Sequence, residues 1–258
     1  MTDTKRLTVL IIVALWCLCS LPFAHAQQCG EDQLAANTIV IKKKAVTAVS
    51  GGVPTIAYET SAETAMAYCA NTCTINKPAN TAEGDLMIAI LTADGAQNAT
   101  LAGWTGIAAA TFSANGLGLT TLYREAGAGE GANYAFDFGA ATAGGGCILR
   151  FSKTGGAWAV APNATEVPTE IGVTESTTSS ITLTAGSILI TIYINDGTNT
   201  VSSSPPDMTA RSTLLGDGSN TCAQVVYTQT GLSGAITKAL TWGTSDEAGN
   251  AAVEIELQ

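Results

Sequence analysis

An internal repeat constrains the fold of this chain more than any other feature of its sequence. Residues 84–95 (GDLMIAILTADG) align with residues 186–197 (GSILITIYINDG) at an offset of 102 residues. Further anchors, at offsets of 104 or 105, are Thr105 with Thr209, Tyr123 with Tyr227, Tyr134 with Lys238, Phe138 with Trp242, and Cys147 with Ala252. Duplicated units of this kind bury their apolar faces against each other. We therefore predict two halves of about five strands that pair into one sandwich.

Strand patterns dominate the rest of the chain. Runs of β-branched and apolar residues between Gly-, Ser-, Thr- and Asn-rich breaks predict strands. The candidates are residues 38–49, 85–92, 117–125, 134–138, 147–152, 179–184, 187–194, 223–229, 238–242 and 251–257. Only residues 61–70 have a pattern that suggests a helix. About ten short strands without intervening helices predict an all-β, jelly-roll-like β-sandwich.

Three of these strands have predicted positions in the sandwich. Residues 86–91 and 188–193 are nearly continuous apolar runs, which is typical of central strands. Residues 253–257 alternate strictly between apolar and acidic. Their apolar side chains are predicted to face the core, while Glu254 and Glu256 face water as a closing strand.

The first 26 residues have the pattern of a secretory signal peptide. Lys5 and Arg6 precede the apolar run 7–23, and Ala24 and Ala26 supply the small residues of a cleavage site. The run is short for a membrane span, which needs about 20 apolar residues. An uncleaved anchor is the alternative. We predict a secreted, extracellular protein that is cleaved after Ala26 and has no membrane span afterwards.

The predicted domain organisation follows from these patterns. Residues 1–26 are the signal peptide, and residues 27–71 form an N-terminal extension that carries an edge or donor strand. Residues 72–258 form the β-sandwich, with halves at about 72–160 and 161–258.

The charge and the histidine content exclude several classes of function. The whole chain carries 11 basic and 21 acidic residues; without residues 1–26 these become 9 and 20, a net charge of −11. So acidic a chain has no basic face large enough for a nucleic-acid backbone. His25, the only histidine, is lost with the signal peptide. A Ser-His-Asp triad, a Cys-His dyad and a His-ligated zinc are therefore excluded.

Several motifs in a fixed order resemble a known family. They are Asn76-Lys77-Pro78, Gly84-Asp85-Leu86, Gly103-Trp104-Thr105, Leu122-Tyr123-Arg124-Glu125-Ala126 and Pro205-Pro206-Asp207-Met208-Thr209. Their order resembles a β-sandwich module found in phage virion and tail-associated proteins and in bacterial secreted surface proteins. The chain departs from that pattern in its single Lys77-Pro78 and in the missing second aromatic after Tyr123. The resemblance implies a structural or adhesive role, with no catalytic residues and no cofactor to carry over.

The cysteines left after cleavage are Cys29, Cys69, Cys73, Cys147 and Cys222. In an oxidising compartment, five cysteines predict two disulfides and one spare thiol. Cys69 and Cys73 either close a tight loop or pair with other partners, such as Cys29. Cys147 starts an apolar strand and is a candidate for an inert, buried thiol. No metal site is predicted.

A glycosidase is the class of enzyme that remains possible, because its mechanism needs two carboxylates and no histidine. The acids near strands are Glu125, Glu130, Asp137, Glu254 and Glu256. The simpler interpretation of the last two is a solvated edge that discourages strand addition. We therefore predict that the protein is not an enzyme.

Ligand binding has a few candidate residues. Trp104 and Trp158 are candidates for exposed carbohydrate platforms, whereas Trp242 is expected in the core. Asp196 and Asp217 are weak calcium candidates, since Asp-Gly pairs more often simply form turns. Asn98 and Asn163 stand in glycosylation sequons, which matter only in a host that glycosylates them.

The N-terminal segment of residues 37–49, strand-like from residue 38, has a cationic centre, Lys42-Lys43-Lys44, in an acidic protein. It is either an edge strand protected by its lysines or a strand donated to a neighbouring subunit. We predict a secreted structural or adhesive protein that associates with itself or with other surface or virion proteins. The alternatives are a lectin-like carbohydrate-binding module and, third, a glycan-active enzyme.

Overall fold

The structure is a computed structural model that describes residues 54–95, 97–114, 116–140, 142–161, 166–197, 199–216 and 222–258. All of these belong to one compact unit, residues 50–258. The predicted signal peptide and the predicted strand at residues 38–49 lie outside the described residues. In the part of the chain that the structure describes, no helix is long and apolar enough to cross a membrane.

The described residues are almost entirely β-strand, which confirms the all-β prediction. The strands are β1 (Thr55–Cys69), β2 (Thr72–Asn76), β3 (Leu86–Asp94), β4 (Thr105–Gly106), β5 (Phe112–Ala114), β6 (Leu117–Glu125), β7 (Asn133–Asp137), β8 (Thr142–Thr154), β9 (Trp158–Ala161), β10 (Glu166–Thr177), β11 (Ile181–Leu183), β12 (Ile188–Asp196), β13 (Val201–Ser203), β14 (Thr209–Leu214), β15 (Cys222–Thr230), β16 (Gly234–Ile236) and β17 (Ala239–Leu257). One short 3-10 turn, Ala108–Ala110, precedes β5.

The two halves build sheets of the same strand order. One sheet runs β1-β8-β3-β6-β4, with β5 also paired to β6. The other runs β10-β17-β12-β15-β14, with β9 and β13 also paired to β17. Each half adds a two-stranded ribbon, β2 with β7 and β11 with β16. All of these pairings are antiparallel, and their correspondence accounts for the sequence repeat.

A single core joins the two sheets face to face. It contains side chains of both halves, such as Ile88 and Phe151 from one sheet and Ile190 and Val253 from the other. The ribbons cover the outer faces. Phe136 of β7 packs among the outward side chains of β3 in one cluster, while the β11–β16 ribbon covers the outer face of the second sheet. The molecule is therefore a sandwich with a ribbon on each side, and neither half has a complete core without the other.

Strand pairing corrects the predicted alignment by one residue at several anchors. Tyr123 lies opposite Thr105, and the corresponding Thr209 lies opposite Thr228. Tyr227, which was aligned with Tyr123, is buried in the outer cluster of the second sheet instead. A shift of one residue moves a side chain to the other face of the strand. Tyr123 therefore packs against the shared core, whereas Tyr227 packs in the outer cluster.

The same shift affects the last strand. Leu86 pairs with Phe151 and Ile188 pairs with Ile255, so the offset is 104 and Cys147 corresponds to Ala251 rather than Ala252. The counterpart of β7 is the ribbon strand β16. The alignment of Tyr134 and Phe138 with Lys238 and Trp242 is therefore also wrong, because Trp242 belongs to β17.

Two expectations fail near the start of the sandwich. Residues 61–70, expected as a helix, lie mostly in β1, which pairs with β8 along its length. The described sheet therefore already includes Thr55–Cys69, which the prediction had placed in the N-terminal extension. The sequence did not predict β1 as a strand because many of its side chains are polar. An edge strand does not need a continuous apolar face.

The closing strand also differs from its prediction. Glu254 is fully buried, although it was expected to face water, while Glu256 is partly exposed. A carboxylate oxygen of Glu254 accepts the backbone N–H of Thr184 at 2.6 Å. Strict alternation placed Glu254 on the outer face correctly. That face is covered locally by the chain that leads into β12, which the sequence pattern does not reveal.

Candidate functional site

Trp104 is part of an aromatic cluster and not an exposed platform. Its side chain is 9% exposed, and its ring meets Tyr134 and Phe136 edge-on, with centroids at 5.2 and 5.3 Å. One side of the residue lines a pocket of about 310 Å³ together with Leu101 and Leu122. The Trp104 N–H closes a short turn on the Leu101 carbonyl at 3.1 Å, and Gly103 in this turn has a left-handed backbone at φ 81°.

Trp158 is also engaged by its surroundings. Its indole N–H donates to the carbonyl of Gly84 at 2.8 Å, and Lys153 Nζ lies 5.0 Å from the ring centroid. The residue is half-buried at the start of β9 and packs against the shared core. Trp158 and Trp104 therefore do not form a common exposed surface. Trp242 is 1% exposed, as predicted for a core residue.

Glu130 is held by three groups at once. It accepts hydrogen bonds from the Gly127 N–H at 2.7 Å and the Tyr134 hydroxyl at 2.8 Å, and Arg124 lies 2.9 Å away. Burial acts to raise the pKa of Glu130, but these partners outweigh it and lower the pKa. The pKa of Tyr134 is raised, first by burial and then by its bond to the carboxylate. Glu130 is thus kept ionised as a structural anchor.

Two other predicted acids have separate local partners. Glu125 is largely exposed and lies 3.7 Å from Nζ of the half-buried Lys153. Asp137 accepts the N–H of Gly139 at 2.7 Å and so stabilises the turn after β7. Each of these carboxylates stabilises the structure in its own neighbourhood.

The structure places the cysteines in two environments. Cys69 and Cys73 lie at the passage from β1 to β2, where burial and then the neighbouring Cys69 raise the pKa of Cys73. The Cys69 thiol donates to the Gly144 carbonyl at 3.6 Å. Cys147 and Cys222 belong to the shared core. These four are free and buried, so the structure contains none of the predicted disulfides among them. Cys29 lies outside the described residues.

The calcium and glycan candidates are only partly described. Asp196 ends β12 next to Gly197, whose φ is 123°, and Asn199 donates from its side chain to that of Asn195. This supports the interpretation of the segment as a turn. Across the described ranges, no three His, Cys, Asp or Glu side chains form a cluster that could hold a metal ion. Asn98 is exposed, whereas Asp217 and Asn163 lie outside the described residues.

A polar pocket that the sequence did not predict lies beside β14 and β15. It has a volume of about 170 Å³, and its lining residues are Asp207, Thr209, Arg211, Thr228, Gln229 and Thr230. Arg211 is the extra residue of a β-bulge, because Ala210 and Ser212 pair with the consecutive residues Tyr227 and Val226. Bulges re-aim side chains, and no signal in the sequence marks this one.

Comparison with known proteins gives no further assignment. No protein-family model matches the chain, and neither a search of curated proteins nor one of solved structures finds a similar protein. The resemblance to the phage and bacterial surface module therefore stays a prediction from the motifs.

Proposed function

We propose that this is a secreted, non-enzymatic structural or adhesive protein that serves as a subunit of an extracellular or virion-like assembly. The observation that carries the proposal is the position of β1. This strand follows the N-terminal segment in the chain and is the first strand of its sheet, paired among the described residues only with β8. The cationic segment at residues 38–49 is thus attached to a strand at a sheet edge.

Charge supports strand donation to an edge of a second copy. The donor segment carries Lys42, Lys43 and Lys44, whereas β1 presents the exposed Glu59 and Glu63. The corresponding edge strand of the other sheet, β10, is also acidic in sequence and contains Pro168, a residue tolerated in sheets at edges. Strand addition supplies affinity through main-chain hydrogen bonds, and opposite charges select the partner.

Bulges in the edge strands make the pairing with a donated strand more specific. β1 has register shifts between Tyr58 and Thr60 and between Thr64 and Ala67. Irregular edges of this kind discourage indiscriminate pairing. The regular stretch between the bulges is short, so only a strand of matching register and charge adds there.

The test is the native mass of the mature chain, residues 27–258, measured by light scattering and imaged by negative stain. We expect a defined oligomer or polymer. Deleting residues 27–50 should leave a folded monomer, because the deletion keeps all of β1 (Thr55–Cys69) and every later strand. The triple variant Lys42→Gln, Lys43→Gln, Lys44→Gln should weaken the assembly, whereas its control, Lys77→Gln, Lys153→Gln, Lys238→Gln, removes the same charge from the sandwich and should not.

A monomeric mature chain at all accessible concentrations would overturn the proposal. An assembly that survives the deletion would overturn the role of the N-terminal segment in it. An unfolded deletion product would show that this segment completes its own sandwich instead of a neighbour's.

A further inference from the structure

The polar pocket beside β14 and β15 contains a small residue at a position where the first half has an aromatic ring. In the first half, Tyr123 lies opposite Thr105 and packs against the shared core. In the second half, the corresponding position opposite Thr209 is Thr228. A hydroxyl replaces a phenol ring there, and space remains next to the side chain of Arg211.

Arg211 is held in place by contacts from both sheets. Its guanidinium carbon lies 3.9 Å from the ring centroid of Tyr58 in β1, and its Nε donates to Thr228 Oγ1 at 2.7 Å. The backbone carbonyl of Arg211 accepts the hydroxyl of Ser61, also in β1, at 3.1 Å. The side chain is therefore ordered before any ligand arrives, which reduces the entropic cost of binding.

The charge of Arg211 has no ion-pair partner among the residues that the structure describes. In the part of the chain that the structure describes, no carboxylate forms an ion pair with Arg211, whereas Arg124 and Arg150 both have one. A planar guanidinium presents paired N–H donors that are suited to bidentate binding of a carboxylate. In a protein with a net charge of −10, an unmatched cation fixed in a pocket points to an anionic ligand.

The other lining groups need hydrogen-bond donors as well as acceptors. Gln229 pairs with Leu189 of an outer cluster, so its side chain faces away from Thr228 and only its backbone borders the pocket. The Asp207 carboxylate accepts hydrogen bonds, and the hydroxyls of Thr209 and Thr230 both donate and accept them. A ligand that complements the pocket thus carries one carboxylate and several hydroxyls.

We propose that this pocket binds a carboxylate-bearing sugar unit of the uronic acid class. The carboxylate lies on Arg211, and hydroxyls of the ring donate to Asp207 and exchange hydrogen bonds with Thr209, Thr228 and Thr230. This site differs from the tryptophan platforms that the sequence suggested for carbohydrate binding. It does not depend on self-assembly, since all of its residues belong to one sandwich.

The experiment is a titration of the isotope-labelled mature chain with D-glucuronate, followed by NMR. D-glucose is the matched probe, because it replaces the carboxylate by a hydroxymethyl group, and glycine tests for an amino-acid site. We expect millimolar binding of glucuronate with shifts confined to residues around Arg211. Glucose should bind at least about 10-fold more weakly, as expected for the loss of a charged hydrogen bond.

Two variants locate the site. Arg211→Gln should weaken glucuronate binding about 10-fold or more, and Thr228→Tyr should abolish it by restoring the ring found in the first half. Lys153→Gln removes a cation on another strand and should leave binding unchanged. Each variant's melting temperature and NMR spectrum show whether it folds; the comparison of glucuronate with glucose on the unaltered chain tests the proposal without any variant.

Equal binding of glucuronate and glucose, a preference for glycine, or an absence of shifts at about 50 mM glucuronate would overturn the proposal. A folded Arg211→Gln variant that binds as well as the unaltered chain would do the same.

Discussion

Arg150 and Glu254 occupy equivalent positions in the two halves, with opposite charges. Arg150 lies opposite Met87, and Glu254 lies opposite Leu189, the counterpart of Met87. In the first half, the loop N–H of Ala82 donates to Asp85, which pairs with Arg150 at 2.6 Å. In the second half, the corresponding loop N–H is taken by Glu254 itself. The duplicated loop is thus anchored by an ion pair in one half and by a single carboxylate in the other.

Breaking the buried ion pair between Asp85 and Arg150 should strongly reduce the stability of the protein. Asp85→Ala leaves Arg150 largely buried, with side-chain exposure of 11%, and without its carboxylate. We expect a loss of about 3 kcal/mol in the free energy of unfolding, measured by urea denaturation. Glu125→Ala, which breaks the exposed pair with Lys153, is the control and should cost no more than about 1 kcal/mol. Equal effects of the two substitutions would contradict the importance of burial.

Glu254→Ala should destabilise the second half through its loop. The substitution leaves the N–H of Thr184 without its acceptor, and a buried unsatisfied donor costs about 1–3 kcal/mol. Glu256→Ala is the matched control on the same strand, because Glu256 is partly exposed, and it should change stability by no more than about 0.5 kcal/mol. Both are measured by chemical denaturation. If the two substitutions behave alike, the buried anchor is not a stabilising element.

Gly146→Ala should be among the most damaging small substitutions in the first half. A Cβ at this position would lie 2.3 Å from the carbonyl oxygen of Ile90 on the neighbouring strand. The strands would have to separate, at a cost of about 1–3 kcal/mol or more. Gly129→Ala has no atom within 4 Å of its Cβ and should be nearly neutral. Thermal unfolding of both variants provides the comparison, and a stable Gly146→Ala chain would contradict this packing.

The core thiols should make stability fall at alkaline pH. Burial raises the pKa of Cys147 and of Cys222 to about 12 each, above the usual value near 8.5 in an unfolded chain. Their contribution to stability is therefore complete below about pH 8.5 and is lost as the pH rises towards 12. In that window each thiol costs up to about 1.4 kcal/mol per pH unit.

This pH dependence is measured by urea denaturation at about pH 8 and about pH 10. The double variant Cys147→Ala, Cys222→Ala should lose less stability between the two pH values than the unaltered chain. An equally steep loss in the variant would assign the pH dependence to other groups. Alkylation of the native thiols should also be slow, since the thiolate is the reactive form.

The sequence predicted central strands better than edge strands. Residues 86–91 and 188–193 form the middle of their sheets as β3 and β12, because continuous apolar runs have only one environment in a sandwich. β1 and β10 were missed, since their polar and acidic side chains suit a partly exposed edge and carry no strong periodic signal. The repeat was found, but its register was off by one residue at Tyr123 and Cys147, where faces matter most.

At the candidate sites too, some features could be predicted from the sequence and others could not. Composition and spacing led to the tryptophans, but the fold buries Trp104 among aromatic rings and hydrogen-bonds Trp158 to Gly84. The pocket around Arg211 combines a bulge, a contact with Tyr58 and a small residue at position 228. Tyr58 is on β1, far in the chain from β14 and β15, so no local sequence pattern predicts that these three features meet.

The sequence by itself determined the β class, the duplication and the central strands, because apolar periodicity and turn residues act locally. Only the tertiary structure decided which carboxylate is buried, which aromatic ring fills the core and which cation lies in a pocket. Those outcomes depend on what packs across each face, and a single buried contact between distant strands outweighs the local preference of either strand. Glu254 and Arg211 are the clearest cases. Glu254 is buried away from water, and Arg211 packs against the ring of Tyr58 and donates a hydrogen bond to Thr228.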